Sequence, residues 1–536
     1  MPRLPVSGTR ASNTPLRAWQ IQTLERMADW TEGTFLLSAA PGAGKTRPAL
    51  ELARAQLAAG AIKSVIVACP TAPLTRQWAR AASALGVELA PDCESPRPPK
   101  GFHGVAVTYA RIAKAPRRWA RSLPSSSLVV ADEAHHLGEE LAWGEGFTTA
   151  VGACSRWLLL SGTPFRSDAA AIPGVNYDAA GLAQPDHSYT YADAVRDRVC
   201  RPVNFVAYDG TLSWRSGDDV IESSFETVLS TREAGRRYRT AISTELPDGL
   251  PRILREADAK LAAVRAAGHA DAGGLVIAAD SAHARRIAAQ LRECTGRAPL
   301  VVLHAEPRAA EKLVAFTRSR DPWIVAVNMV SEGVDIPRLR VGVYATAAKT
   351  PLVFRQIVGR FVRTLPGRPI EPSWLYVPAD PVLRDHASRI EEELRHVLAR
   401  PDAADELGFD EPDLVARSER SEEPAFVPLN ADVAPQMSLF GPPPGAAVAM
   451  AAGPALLPTS ASDDVADERP AFERRAMLRS ERHRLVSEVT RRDRTDHREV
   501  NAWLNRRVGV SSVETATLEQ LERSVELLVG RLTRRR

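Results

Sequence analysis

The residues best suited to chemistry stand in two short stretches of this 536-residue chain, with Lys45 in one and Glu133, 88 positions later, in the other. Ser38 to Thr46 reads SAAPGAGKT, directly after an apolar run and before a helical pattern. In a loop from Pro41 through Gly42, Ala43 and Gly44, the two glycines let backbone amides approach phosphate oxygens. The Lys45 ammonium can reach β and γ phosphates, and the Thr46 hydroxyl can ligate Mg²⁺. The first glycine of the usual pattern is replaced by Ala39. The second stretch, LVVADEAHH, is an apolar run ending in Asp132 and Glu133. Asp132 can hold Mg²⁺ through water, and Glu133 can orient and polarise an attacking water. Taken singly, these are a glycine-rich turn and a solvated strand end. Taken together, they make a nucleotide site.

Such a site needs a rigid frame. From about Leu16 to Arg400, the β-rich runs SVIVA, GVAVT, SLVVAD and WLLLSG, then GGLVIAAD, PLVVLH, WIVAV and VGVYAT, alternate with amphipathic stretches. Continuous apolar strands separated by helical patterns predict parallel sheets covered on both faces. The runs fall into two groups, parted by residues 201–270, with a strand-like start, RPVNFVAYDG, and a charged helical continuation. The expected fold class is therefore α/β, with tandem domains over 14–200 and 201–400.

Beyond residue 400 the composition turns to Pro, Ala, Ser, Asp and Glu, which predicts a flexible linker over 401–470. Residues 471–536 read as a small all-α domain of three helices. Leu478, Leu485, Val486 and Val489 fall at helical spacing in the first. Asp496 and Glu499 are placed as a capping pair for the second, with Gly509 at its end, and Thr517 with Gln520 form a capping box for the third. From Pro470 onward there are 16 Arg, no Lys and 10 acidic residues, a balance of +6 against a formal net charge of +4 for the whole chain. The remainder carries −2, so the basicity belongs to the tail. The tail suits nucleic-acid phosphate, or is a solvated bundle that uses arginine for solubility. The five scattered cysteines show no metal or disulfide spacing, and no run of apolar residues is long enough for a membrane span. A reduced, cytoplasmic, nucleoid-associated setting is expected.

These stretches resemble, in order, the motifs of superfamily-2 helicases and translocases. LRAWQ looks like the adenine-reading segment with Gln20 as base contact, and PGAGKT like motif I in its Ala-led form. CPTAPLTRQW and VTYARI are similar to motifs Ia and Ib, which implies Thr71, Arg76 and Thr108 near a nucleic-acid backbone. DEAHH is similar to motif II. SGTPFR is similar to motif III, which implies that Ser161 and Thr163 couple nucleotide state to strand contacts. LVIAADSAHARRIAAQL, NMVSEGVDIP and RQIVGRFVRT look like motifs IV, V and VI. The resemblance implies two RecA-like domains, ATP with Mg²⁺ as cofactors, and Gly333 and Asp335 at the nucleotide. It also implies that Gln356, Arg360 and Arg363 act at the γ phosphate, where a cation accelerates hydrolysis by about 10³ or more.

DEAHH, SGTPFRSD and YADAVRDRVCRPV look closest to the XPB-like and restriction-motor-like branch, which favours DNA over RNA, single-stranded or forked, and a monomer on DNA. In the linker, QMSLF resembles the bacterial sliding-clamp-binding pentapeptide. That implies a polar contact from Gln436, anchors at Leu439 and Phe440, and Met437 and Ser438 between them. The plainer alternatives are a chance match or a peptide folded back on the motor. Three readings follow: a DNA helicase or translocase in replication, repair or recombination; the motor of a restriction or phage-defence complex whose nuclease is another subunit; and a clamp-tethered remodeller that does not separate strands.

Overall fold

A computed structural model describes residues 15–139, 141–162, 171–178, 183–303, 306, 309–327, 336–365, 368, 370–399, 426–435, 469–493, 495–513 and 516–533. They form two compact units. One holds the described residues up to Ser38, Lys45–Ser188 and those from 469 onward, and the other holds Ala39–Gly44 and those from Tyr189 to Pro435.

The first unit is built on β1 (Gly33–Ala39), β2 (Ser64–Cys69), β3 (Leu89–Pro91), β4 (Gly104–Thr108), β5 (Ser127–Asp132), β6 (Arg156–Ser161) and β7 (His187–Tyr189). Their order is β3-β4-β2-β5-β6-β1-β7, and every pair from β3 to β1 is parallel. Every residue of β2 and β5 is buried, as strands covered by helices on both faces must be. Each fully buried Val, Ile or Leu contributes about 1.5–3 kcal/mol relative to exposure. The parallel run turns all these strands the same way, so the chain leaves β1, β2, β4, β5 and β6 along a single edge.

The second sheet contains β8 (Val203–Ser216), β9 (Asp219–Ser223), β10 (Gly273–Ala278), β11 (Leu300–Val302), β12 (Trp323–Val327), β13 (Leu339–Ala345), β14 (Ser373–Pro378) and β15 (Phe426–Pro435). The order is β11-β12-β10-β13-β14-β8-β15, parallel from β11 to β8, with β15 and β9 antiparallel on β8. All eight runs named from the sequence are strands here. The two units are tandem RecA-like α/β domains followed by a helical tail.

Two expectations change. The charged stretch after RPVNFVAYDG is not helical at once: β8 runs on to Ser216 and turns at Gly217, in the left-handed region, into β9. Within the expected linker, Phe426–Pro435 is the edge strand β15. Its composition concealed it. Only Ala431 and Val433 need to face inward, and both are fully buried, while prolines at 428 and 435 are tolerated on an edge that donates to one side only. Gly210, paired with Val433, admits this strand, because a Cβ there would lie 1.8 Å from the Asp432 carbonyl oxygen. Gly210→Ala is therefore expected to raise amide exchange over 426–435 by at least about tenfold while leaving β10 and β13 protected. Unchanged exchange in β15 would contradict this pairing.

The tail is three helices, Ala471–Asp493, His497–Val508 and Leu518–Thr533, around Leu485, Val486, Val489, Val500, Leu504 and Leu528. The Thr517–Gln520 capping box forms, and Gly509 ends the second helix at φ 70°. Asp496 occupies the N-cap without a side-chain capping bond, contrary to expectation. Within its unit the tail meets the helix Ala72–Ser83 through a 2.6 Å Arg80–Glu473 ion pair and the turn before β4 through Arg475 over the Phe102 ring. No helix among the described residues is long and apolar enough to cross a membrane.

Candidate functional site

The candidate residues of the first unit gather on the edge where its parallel strands end. The loop after β1 turns at Gly42 and Gly44, with φ of 83° and 93°, a backbone that side chains resist. Lys45 then starts the helix Thr46–Ala58, and Thr46, half-buried, is its first residue. Asp132 closes β5 and Glu133 follows at φ 51°. A left-handed non-glycine residue is uncommon and costs conformational energy, and here it swings the Glu133 side chain toward the Lys45 ammonium. Lys45 pairs with Glu133 and lies 3.9 Å from Asp132 Oδ1.

The two neighbouring carboxylates are driven apart. Burial pushes Asp132 up to about 6, against the pull of Lys45 and with the push of Glu133. Burial also pushes Glu133 upward, but Lys45 and His135 outweigh it and hold this carboxyl down at about 2. The Trp78 indole N–H donates to Asp132 Oδ2 at 2.8 Å, whereas the buried Oδ1 has no hydrogen-bond partner. A buried carboxylate oxygen without a hydrogen-bond donor fits a hard divalent cation such as Mg²⁺.

The raised Asp132 carries a stability consequence. Its folded value lies about two units above the usual 3.9, so the ionised form penalises folding above about pH 6, by roughly 2–3 kcal/mol. Protonation removes that penalty as pH falls through 6. Asp132→Asn is therefore expected to be the more stable protein at pH 7.5, with the difference falling to about half by pH 5 and closing below about pH 4, as read by urea unfolding. A difference independent of pH would contradict it.

His135, with no expected role, proves central. Its ring Nδ1 is 3.1 Å from Ser161 Oγ, and 3.6 Å from Glu133. Both His135 and Ser161 are buried, so a polar chain runs from Ser161 through His135 and Glu133 to Lys45. Ser161 thus reaches the carboxylate cluster through His135. Trp78 and Tyr109, whose hydroxyl donates to the Asp132 carbonyl at 2.7 Å, were also missed as anything but apolar positions. A buried indole or phenol needs an acceptor, and this is the signal that could have flagged both.

The candidate strand-contact residues lie on the adjacent strand ends. Thr71 caps the helix Ala72–Ser83 after β2, and Thr108 ends β4, accepting the Arg111 amide at 3.3 Å. Arg76 is exposed but ion-pairs with Asp92 at 3.3 Å. Gln20 is buried, and its Oε1 accepts the Arg17 amide at 3.0 Å.

In the second unit, Gln356 and Arg360 lie half-buried on the helix Pro351–Phe361, and Arg363 follows its end, bridged to Cys200. This is a packed helix and not a solvated one. Gly359 lets it approach the phosphate loop, since a Cβ there would lie 2.7 Å from Pro41. The Arg363 side chain runs over Gly42, with Cδ 2.8 Å from where a Cβ would stand. Thr163, Gly333, Asp335 and Gln436–Phe440 lie outside the described residues.

Residues 13–166 match the family described as Type III restriction enzyme, res subunit. The chain is 41% identical over 448 residues to the uncharacterized protein Rv2917 of Mycobacterium tuberculosis, covering 81% of this chain and 73% of that protein. Among solved structures, the ATP-dependent Type ISP restriction-modification enzyme LlaBIII bound to DNA aligns over 71% of the chain at 13% identity and TM-score 0.46, and the chain spans 30% of that protein's length. Dbp5 of S. cerevisiae, bound to RNA and ADP BeF3, aligns over 70% of the chain and 87% of its own length at 13% identity and TM-score 0.44. The chain belongs to the same family as Rv2917, with paired α/β domains and a glycine-rich loop leading into a helix.

Proposed function

We propose that this protein is an ATP-dependent motor that hydrolyses Mg-ATP and moves on a DNA strand. The observation that carries this reading is the Lys45–Glu133–His135–Ser161 chain beside an Asp132 whose Oδ1 has no hydrogen bond. Lys45 and the loop amides bind the phosphates. Thr46 and Asp132 would hold Mg²⁺, which when bound neutralises charge between the β and γ phosphates. Glu133, kept ionised by Lys45, orients the attacking water and takes its proton. Arg363 and Arg360, with Gln356, supply positive charge to the γ phosphate. A shift of Glu133 during hydrolysis moves His135 and therefore Ser161, at the end of β6. Thr71 and Thr108, at the neighbouring strand ends, and Arg76, on the helix Ala72–Ser83, contact the nucleic-acid backbone, and Gly333 and Asp335 complete the nucleotide site.

A role in replication, repair or recombination fits Gln436–Phe440 as a clamp-binding peptide, which would start immediately after the edge strand β15. The match of residues 13–166 to a restriction-enzyme subunit favours a second reading, the motor of a restriction or defence complex with nuclease activity on another chain. The deciding measurement is ATP hydrolysis with single-stranded, duplex and forked DNA and with RNA, with and without a sliding clamp, alongside strand displacement on the fork. Stimulation by DNA well above RNA is expected. Equal or greater stimulation by RNA would overturn the DNA assignment, and full hydrolysis without a displaced strand would leave a translocase or remodeller.

A further inference from the structure

A second basic site lies in the second unit, where a pocket opens around Arg201, His269, Asp271, Arg338, Arg340 and Arg368. Four guanidinium groups meet two carboxylates here, Asp271 and the adjoining Glu371, so two positive charges stay uncompensated. Their hydrogen bonds show which of them are committed. Arg338 is a structural clamp, donating to the Phe316, Asp271 and Asp321 carbonyls at 2.9–3.0 Å. Arg340 uses Nη2 on Glu371 and the Pro372 carbonyl, both at 3.0 Å, while its buried Nε has no partner. Arg201 is 4% exposed, and neither its Nε nor its Nη1 has a hydrogen-bond partner.

A guanidinium with two nitrogens, Nε and Nη1, whose N–H groups have nothing to receive them is an unusual thing to bury, because a desolvated guanidinium normally finds an acceptor. Burial and the Arg340 and Arg368 cations push Arg201 down to about 10 against the pull of Glu371, so it stays charged at neutral pH. The missing group is an acceptor with negative charge. Unmet guanidinium N–H groups suit an oxyanion oxygen, and the interior has room for little more than one water-sized group. The ligand is therefore compact or offers a single protruding group.

We propose that this pocket receives an oxygen of a phosphate-type oxyanion at Arg201 and Arg340 Nε, with Arg368 at its mouth. Inorganic phosphate and a nucleic-acid backbone phosphate share this chemistry, and the test distinguishes them. The full chain, in chloride buffer with its phosphate loop saturated by Mg²⁺ and a non-hydrolysable ATP analogue, is titrated with inorganic phosphate by calorimetry, and separately with a single-stranded oligonucleotide. Arg201→Gln and Arg368→Gln are each expected to weaken phosphate binding at least about tenfold, with analogue affinity unchanged. Parallel weakening of the oligonucleotide assigns the anion to a nucleic-acid backbone, and an unchanged oligonucleotide affinity assigns it to the free ion. If neither titration responds to either variant, the proposal is overturned. Should Arg201→Gln fail to fold, Arg368→Gln decides alone, since its side chain is 40% exposed. An analogue that fails to bind would count against the phosphate loop and still leave the phosphate titration readable.

Discussion

Glu133→Gln should lower kcat for ATP hydrolysis by about 10²–10⁴, the range for loss of a positioned general base. Glutamine keeps the size of the side chain and tolerates the same left-handed backbone, but it cannot accept a proton. Lys45 holds Glu133 well below the usual carboxylate range, so the wild-type group is ionised at every working pH, and the substitution removes function rather than changing its pH profile. Nucleotide affinity should change little. Lys45→Ala should behave differently. It removes a phosphate contact, with a loss of about 10²–10³, and also leaves Asp132 and Glu133 facing each other without a cation. Nucleotide binding should therefore weaken along with kcat. Far-ultraviolet dichroism and the melting midpoint would show that both variants fold, and activity within tenfold of wild type in either would remove these residues from the site.

Arg363→Ala should cost about 10³ in kcat, the effect of withdrawing a cation from a phosphoryl-transfer transition state. The side chain runs across Gly42, in the loop proposed to bind phosphate. Its bridge to Cys200 is made by the backbone and survives truncation. Arg363→Lys keeps the charge without the planar fork, and so should recover only part of the loss. Single-turnover hydrolysis separates this from binding: a kcat within tenfold of wild type for Arg363→Ala would refute the assignment, whereas nucleotide affinity is expected to stay within a few-fold.

The frame of this site was legible because parallel strands buried on both faces must be largely apolar, as the central runs of β2, β5, β10 and β13 are. The phosphate loop was legible because Gly42, Gly44 and Lys45 answer a local backbone and charge requirement. The strand β15 was not, since an edge strand with two inward residues has almost no hydrophobic pattern to read. His135 and Trp78 were also hidden, for another reason. A histidine after a carboxylate pair and a tryptophan in an amphipathic helix have ordinary local explanations, and their partners, Ser161 and Asp132, lie 26 and 54 positions away.

The sequence by itself determined which groups could do the chemistry, Lys45, Thr46, Asp132 and Glu133, and the order of elements that carries them, because both follow from spacing along the chain. Only the tertiary structure decided that Trp78 takes one oxygen of Asp132 and leaves the other without a hydrogen bond. It likewise decided that Glu133 is linked through His135 to Ser161, and that Arg201 is buried with two N–H groups unmet. The physical reason is common to all three: hydrogen bonding, desolvation and charge depend on which distant residues share a buried volume, and local spacing does not specify that.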